Sequence, residues 1–238
     1  MNKKKLFTIA AVALLVIGLT TAAGIKTFIV FNEQEKNTAP LIPKCTIIID
    51  AGHGGFDPGK VGTNNAREKD INLVIAKKLQ ALLEQNDITV IMTREDDNGL
   101  YQESDSNKKN ADLKKRVEII NSSDAVIAVS IHQNSFPEES QKGAQVFYHQ
   151  KSPEGKILAE IIQEQIKETI GDGNHRVAKS NDSYYMLKKT ECPLVIVECG
   201  FLSNRKEAEL LVDDTYQDKM AWAIHLGIMN YLNSYVYD

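Results

Sequence analysis

The sequence predicts an α/β fold: a single domain on a largely parallel twisted sheet with helices on both faces, preceded by an N-terminal transmembrane or signal helix. Three observations lead there. Short β-branched runs alternate with stretches whose apolar residues recur at helical spacing. The run at residues 194–198, LVIVE, is almost continuously apolar, as suits a strand buried on both faces. With 42% hydrophobic and 25% charged residues, the 238 positions have the composition of a globular chain with one good core.

Taken in order, residues 46–50 form the first strand, and Ile71, Ile75, Leu79 and Leu82 mark a helix opening at Glu68. Residues 88–93 are strand-like again, which completes a βαβ unit. Leu113, Val117 and Ile120 mark a second helix, residues 125–131 and 143–148 two strands, and Ile157, Leu158, Ile161, Ile162 and Ile166 a third helix. After the strand at 194–198 comes a terminal helix over 216–232 carrying Met220, Ala223, Ile224, Ile228 and Tyr231. Residues 94–111, REDDNGLYQESDSNKKNA, have little apolar content and read as a long exposed loop, either mobile or functional.

The first 31 residues differ in kind. Lys3, Lys4 and Lys5 precede an apolar stretch over 6–24, of about the 20 residues that a spanning helix needs. The lysines place the N-terminus in the cytoplasm and the rest outside, so the expected state is an uncleaved anchor with an extracytoplasmic domain. Thr21, Ala22 and Ala23 offer the alternative of a cleaved signal and a secreted chain. Residues 32–44, with two prolines, read as a linker, and the catalytic domain spans 45–235. A formal net charge of −4, with no basic run interleaved with aromatics, excludes a nucleic-acid partner. Three cysteines, Cys45, Cys192 and Cys199, are an odd count for an exported chain. Cys192 and Cys199 flank an extended run and sit about 23 Å apart, too far to bond, which leaves a Cys45–Cys192 bridge open.

The stretch IIIDAGHGGFDPGKVG, residues 47–62, imitates a nucleotide-binding loop in Gly54, Gly59 and Lys60. Val61 stands where such a loop needs Ser or Thr for magnesium, and the turn residues Gly62, Asn64 and Asn65 follow instead of a helix. A metal accounts for more. Loops at the carboxyl ends of neighbouring strands in an open α/β sheet gather in one crevice. His53 follows the first strand, His132 closes AVIAVSIH, Glu198 closes LVIVE, and Glu68 opens the first helix. Two imidazoles and a carboxylate suit a catalytic zinc with an open position, and a further carboxylate can serve as base. His149 and His175 show no such pattern, and His225, inside the terminal helix, reads as structural.

IIIDAGHGG, EKDINLVIAKKL, VIMTRE, DLKKRVEIIN, DAVIAVSIHQNS, GAQVFYH and LVIVECGFLSN resemble, in order and spacing, the motifs of the zinc-dependent N-acetylmuramoyl-L-alanine amidases of the Amidase_3 type. The resemblance runs over about residues 45–233. It implies that His53, Glu68 and His132 are the zinc ligands and Glu198 the catalytic glutamate. Gln133 departs from the pattern, since most members have Ala after the second histidine. The bare anchor and SYYMLKKTECPLVIVECGFLSN, from Ser183, are similar to one branch, the membrane-anchored CwlD-type amidases that help make the muramic δ-lactam of the spore cortex for germination. The implied substrate is the amide between the lactyl group of muramic acid and L-Ala of the peptidoglycan stem peptide.

Arg116 and Asn134 are candidates for fixing ligand geometry or binding a substrate carboxylate, a solvated helix face explaining Arg116 almost as well. Three ligands on distant loops, with no module for wall binding, point to an accessory protein that targets the chain or orders its zinc site. The competing classes are a vegetative wall amidase of the same fold, a metallopeptidase acting within the stem peptide, and an idle peptidoglycan-binding scaffold.

Overall fold

The computed structural model describes residues 45–236. The expected anchor at 1–31 and linker at 32–44 lie outside the described residues. Among those described, no helix is long and apolar enough to cross a membrane.

The elements run β1 (Thr46–Ala51), α1 (Glu68–Glu84), β2 (Thr89–Met92), α2 (Lys108–Asn121), β3 (Ala125–Asn134), β4 (Gln145–Tyr148), α3 (Pro153–Ile170), β5 (Lys179–Ser180), α4 (Tyr185–Lys189), β6 (Leu194–Phe201), α5 (Arg205–Leu211) and α6 (Asp214–Tyr231), closing in a wide turn at Leu232–Val236. Six strands form one sheet in the order β2-β1-β3-β6-β4-β5. β2, β1, β3 and β6 are parallel to one another, while β4 runs antiparallel to β6 and parallel to β5. The sheet is therefore mixed but largely parallel, as expected: four of its five pairings are parallel and only that of β4 with β6 is antiparallel. The cause lies in residues 135–144, which contain no helix. A strand that follows without a crossover starts at the end where β3 finished and must run back.

Successive residues of β1 feed opposite layers. Ile47 and Ile49 join Ile75 and Leu79 of α1, Leu158 and Ile162 of α3, and Met220 and Ile224 of α6 in the larger core. Ile48 faces Ile120 of α2 and Met186 and Leu187 of α4 in the smaller one. Helices thus cover both faces, as expected, and strands buried on both sides need the continuous apolar runs seen in the sequence. The cysteines are all free, and Cys45 belongs to the larger core while Cys192 packs on the smaller, so the sheet separates the pair left open above. His225 is buried on α6, stacks on Trp222 with ring centroids 5.1 Å apart and meets Asn86 through Nε2 at 3.1 Å, a structural setting.

Residues 94–111 depart from expectation. Arg94 is buried, and α2 already begins at Lys108, where the side chain of Asn107 accepts from the Asn110 amide. The remainder is tied down: the Tyr101 hydroxyl accepts from the Phe56 amide at 3.1 Å, Asp112 from the Leu100 amide at 2.7 Å, and buried Lys69 donates to both Gly55 and Asp97 at 2.8 Å.

Candidate metal centre

Three adjacent parallel strands bring the site residues together. β1, β3 and β6 end side by side, with His132 and Glu198 directly opposite each other in register, and the Gly52 amide donates to the Ile131 carbonyl at 3.1 Å just past β1. A Cβ at Gly52 would clash with the His132 ring, so glycine lets the chain leave β1 beside that histidine. His53 then takes a left-handed backbone, φ 63°, which turns its ring into the cleft. Gly59, φ 67°, returns the loop so closely that a Cβ would strike Glu68 and His53. Glu68 is reached because α1 starts there, its Oε2 accepting the Lys60 amide at 2.8 Å.

Glu68 Oε1 lies between the two imidazoles, 3.2 Å from His53 Nε2 and 2.9 Å from His132 Nδ1, and also accepts the Gln133 amide at 3.1 Å. The donor atoms of His53, Glu68 and His132 all fall within 4.8 Å of one another. Among the described residues this is the one His, Cys, Asp and Glu group close enough to hold a metal ion. Burial would raise the Glu68 carboxyl, but hydrogen bonds from His132 and His53 hold it far below the usual carboxylate range. Burial would likewise lower His132, and its bond to Glu68 outweighs this and raises it. A carboxylate drawn between two imidazoles is a donor set arranged to share one cation, so the residues fit a divalent metal.

Glu198 differs from Glu68 in having no such company. It is 7% exposed, and its Oε2 has no hydrogen-bond partner among the described residues. Burial pushes its carboxyl up to about 7, with the charge of Glu68 adding to the rise and His132 and His53 opposing it. The three donor residues and Glu198 line one cleft of about 440 Å³, with Lys60, Lys109, Asn134 and Tyr184 around them.

Of the two further candidates, Arg116 is 2% exposed, so the solvated-face account is wrong. It donates to the His53 carbonyl at 2.6 Å, the Ala51 carbonyl at 2.8 Å and Asp50 Oδ1 at 2.7 Å, and its Nε pairs with Asp112 at 2.5 Å. It therefore grips the backbone of the turn that carries His53. Asn134 lines the cleft but bonds none of the three donors, its side chain accepting instead from the Ser135 amide at 2.8 Å.

Sequence reasoning missed three residues. Asp57 Oδ2 sits 3.0 Å from His53 Nδ1, where a carboxylate fixes the tautomer of a metal-binding imidazole, and an acid four residues after the histidine was the available signal. Arg94 donates to the carbonyls of Ala51, Gly52 and Lys69 at 2.8 to 3.0 Å, and nothing in its polar surroundings in the sequence betrays this. Asp50, 1% exposed, accepts from Arg116, from Thr93 at 2.7 Å and from Ser130 at 2.5 Å. Burial would raise it, yet Arg116, Ser130 and Thr93 hold it at about 2.

Comparison with known proteins gives a consistent result. The family described as N-acetylmuramoyl-L-alanine amidase matches residues 47–230. The germination-specific N-acetylmuramoyl-L-alanine amidase of Bacillus subtilis (strain 168) is 39% identical over 188 residues, 78% of this chain and 78% of that protein. Among solved structures, the CwlD amidase from Clostridioides difficile in complex with the GerS lipoprotein superimposes with a TM-score of 0.77 at 48% identity, over 79% of this chain and 98% of that one. The N-acetylmuramoyl-L-alanine amidase AmiC2 of Nostoc punctiforme gives 0.70 at 33% identity, over 80% and 98%.

Proposed function

The chain belongs to the N-acetylmuramoyl-L-alanine amidase family, and from that premise we propose a zinc-dependent amidase of spore cortex maturation in which His53, Glu68 and His132 hold the metal and Glu198 moves the proton. The single observation that carries the site assignment is the packing of two imidazoles and a carboxylate within 4.8 Å, beside a buried carboxylate with an unpartnered oxygen.

The bond cleaved is the amide between the lactyl group of muramic acid and L-Ala. His53, Glu68 and His132 would hold a zinc ion, which would supply Lewis-acid polarisation of the scissile carbonyl and make water more acidic. Glu198, which lines the cleft and has one oxygen without a hydrogen-bond partner, takes a proton from the attacking water and returns it to the leaving amine as the C–N bond breaks. A carboxyl whose affinity for protons is raised to about 7 suits both halves of that exchange near neutral pH. Asp57 orients His53, Arg116 and Arg94 hold the turn that carries it, and Asn134, in the cleft wall, is placed to bind substrate.

The germination-specific character of the B. subtilis relative supports a role in germination, and the lipoprotein bound to the C. difficile amidase supports an accessory protein for this chain too. In this reading residues 1–31 anchor the catalytic domain, 45–235, outside the cytoplasmic membrane through the linker at 32–44, next to its peptidoglycan substrate. Zinc content of the isolated chain, set against that of the chain purified from its native membrane, tests the need for a partner. Spores made without the protein are expected to lack muramic δ-lactam, and a normal δ-lactam content would assign it to vegetative wall turnover instead.

The deciding experiment treats peptidoglycan with the zinc-loaded chain and identifies the new amine ends. Release of L-Ala amine ends is expected. New ends inside the peptide would indicate a metallopeptidase, and none at all with zinc bound would leave a binding scaffold.

A further inference from the structure

The segment SYYMLKK, singled out in the sequence, has no part in the scheme above. Its Tyr184, Tyr185 and Met186 nevertheless form a wall of the cleft opposite the metal donors. The mount is rigid. Asn181, whose amide donates to the Tyr148 carbonyl at the end of β4 at 2.8 Å, accepts through Oδ1 from the amides of Ser183 and Tyr184 at 2.8 and 3.1 Å. The Tyr184 ring packs edge-on against Phe147 of β4, centroids 5.8 Å apart. Phe147 is opposite Ile196 in register, and Ile196 and Glu198, two residues apart on β6, share a face of the sheet. The tyrosine ring thereby stands on the same face of the sheet as Glu198, and the two residues line one cleft.

Resting on the amidase reading, we propose that Tyr184 is a positioning residue for amide cleavage: its hydroxyl donates to one oxygen of Glu198 and so keeps the other turned to the proton of the attacking water. The need is physical. β6 fixes the Glu198 backbone, but the carboxylate sits beyond further rotatable bonds, and its Oε2 has no hydrogen-bond partner among the described residues. A base that must remove one proton along one line loses rate when it can swing. Burial, with the nearby charges of Glu198 and Glu68, pushes the phenol up to about 12, so it remains a donor at any working pH. Tyr184 adds no proton of its own to the reaction; the proton still passes from water to Glu198 to the amine.

The test is Tyr184→Phe in the full-length chain, which keeps the ring on Phe147. With zinc loaded, kcat for release of L-Ala amine ends is expected to fall about 10- to 100-fold while KM stays within about twofold. Zinc content and thermal midpoint are expected to match the parent. In the metal-free chain with ¹³C-labelled glutamate, the Glu198 carboxyl resonance is expected to move. A kcat equal to the parent's, a loss confined to KM, or an unmoved Glu198 resonance overturns the proposal. If the zinc-loaded parent cleaves nothing, the amidase reading falls and this proposal with it; if the parent cleaves and Tyr184→Phe cleaves equally well, the proposal alone falls.

Discussion

Asp50 and Glu198 are both acids that close apolar runs in one sheet, both almost fully buried, and their surroundings drive them in opposite directions. Asp50 accepts from Arg116, Thr93 and Ser130, and its carboxyl is held at about 2. Glu198 has an oxygen with no partner, and its carboxyl is pushed up to about 7. Burial is common to the two, so partners make the difference. A buried carboxylate with both oxygens engaged is a bracket, here joining β1, the residue after β2, and β3 to α2 beneath the His53 turn. One left unpaired is costly to fold and ready to take a proton.

The comparison breaks most readily at the bracket. Arg116→Met leaves Asp50 buried without its cation and is expected to cost about 3–5 kcal/mol in unfolding free energy, read by denaturant titration. A loss below about 1 kcal/mol would mean that Asp50 is not held by Arg116. pH sharpens the contrast. The folded state depresses Asp50, so its contribution, on the order of 2 kcal/mol, is fully present above about pH 4 and lost as pH falls through about 2. Glu198 is raised, so in the metal-free chain its ionisation weakens the fold as pH climbs from about 4.5 through about 7. Stability of metal-free Asp50→Asn and Glu198→Gln, followed against pH, is expected to differ from the parent in opposite senses and in separate windows. The smallest effect belongs to Gln133, buried with Nε2 bonded to Asn72 at 3.1 Å and Oε1 unpartnered. Gln133→Ala loses one good bond together with one unmet acceptor, and a change within about 1 kcal/mol is expected by thermal melting.

Much of the site was legible because strand ends are. An apolar run that stops at His or Glu marks the crevice, and β1, β3 and β6 prove adjacent, so His53, His132 and Glu198 meet although far apart in sequence. The same signal sits in IIID, where Asp50 closes its run as Glu198 closes LVIVE. Arg94 and Arg116 were illegible for a different reason. Their work is to satisfy carbonyls at the end of β1, and a guanidinium that binds backbone leaves no side-chain pattern to read. The reversal of β4 depended on a connection without a helix, visible only as missing periodicity, and residues 94–111 looked solvated because their order comes from contacts with the glycine loop.

The central claim is that Glu198 does chemistry while others hold the metal. Glu198→Gln, purified as the full-length chain and loaded with zinc, tests it in a paired reading of bound zinc and release of L-Ala amine ends from peptidoglycan. The expected result is one zinc per chain, as in the parent, with turnover lowered by about 10²- to 10⁴-fold. Substantial turnover with zinc bound, or loss of the zinc itself, would contradict the account.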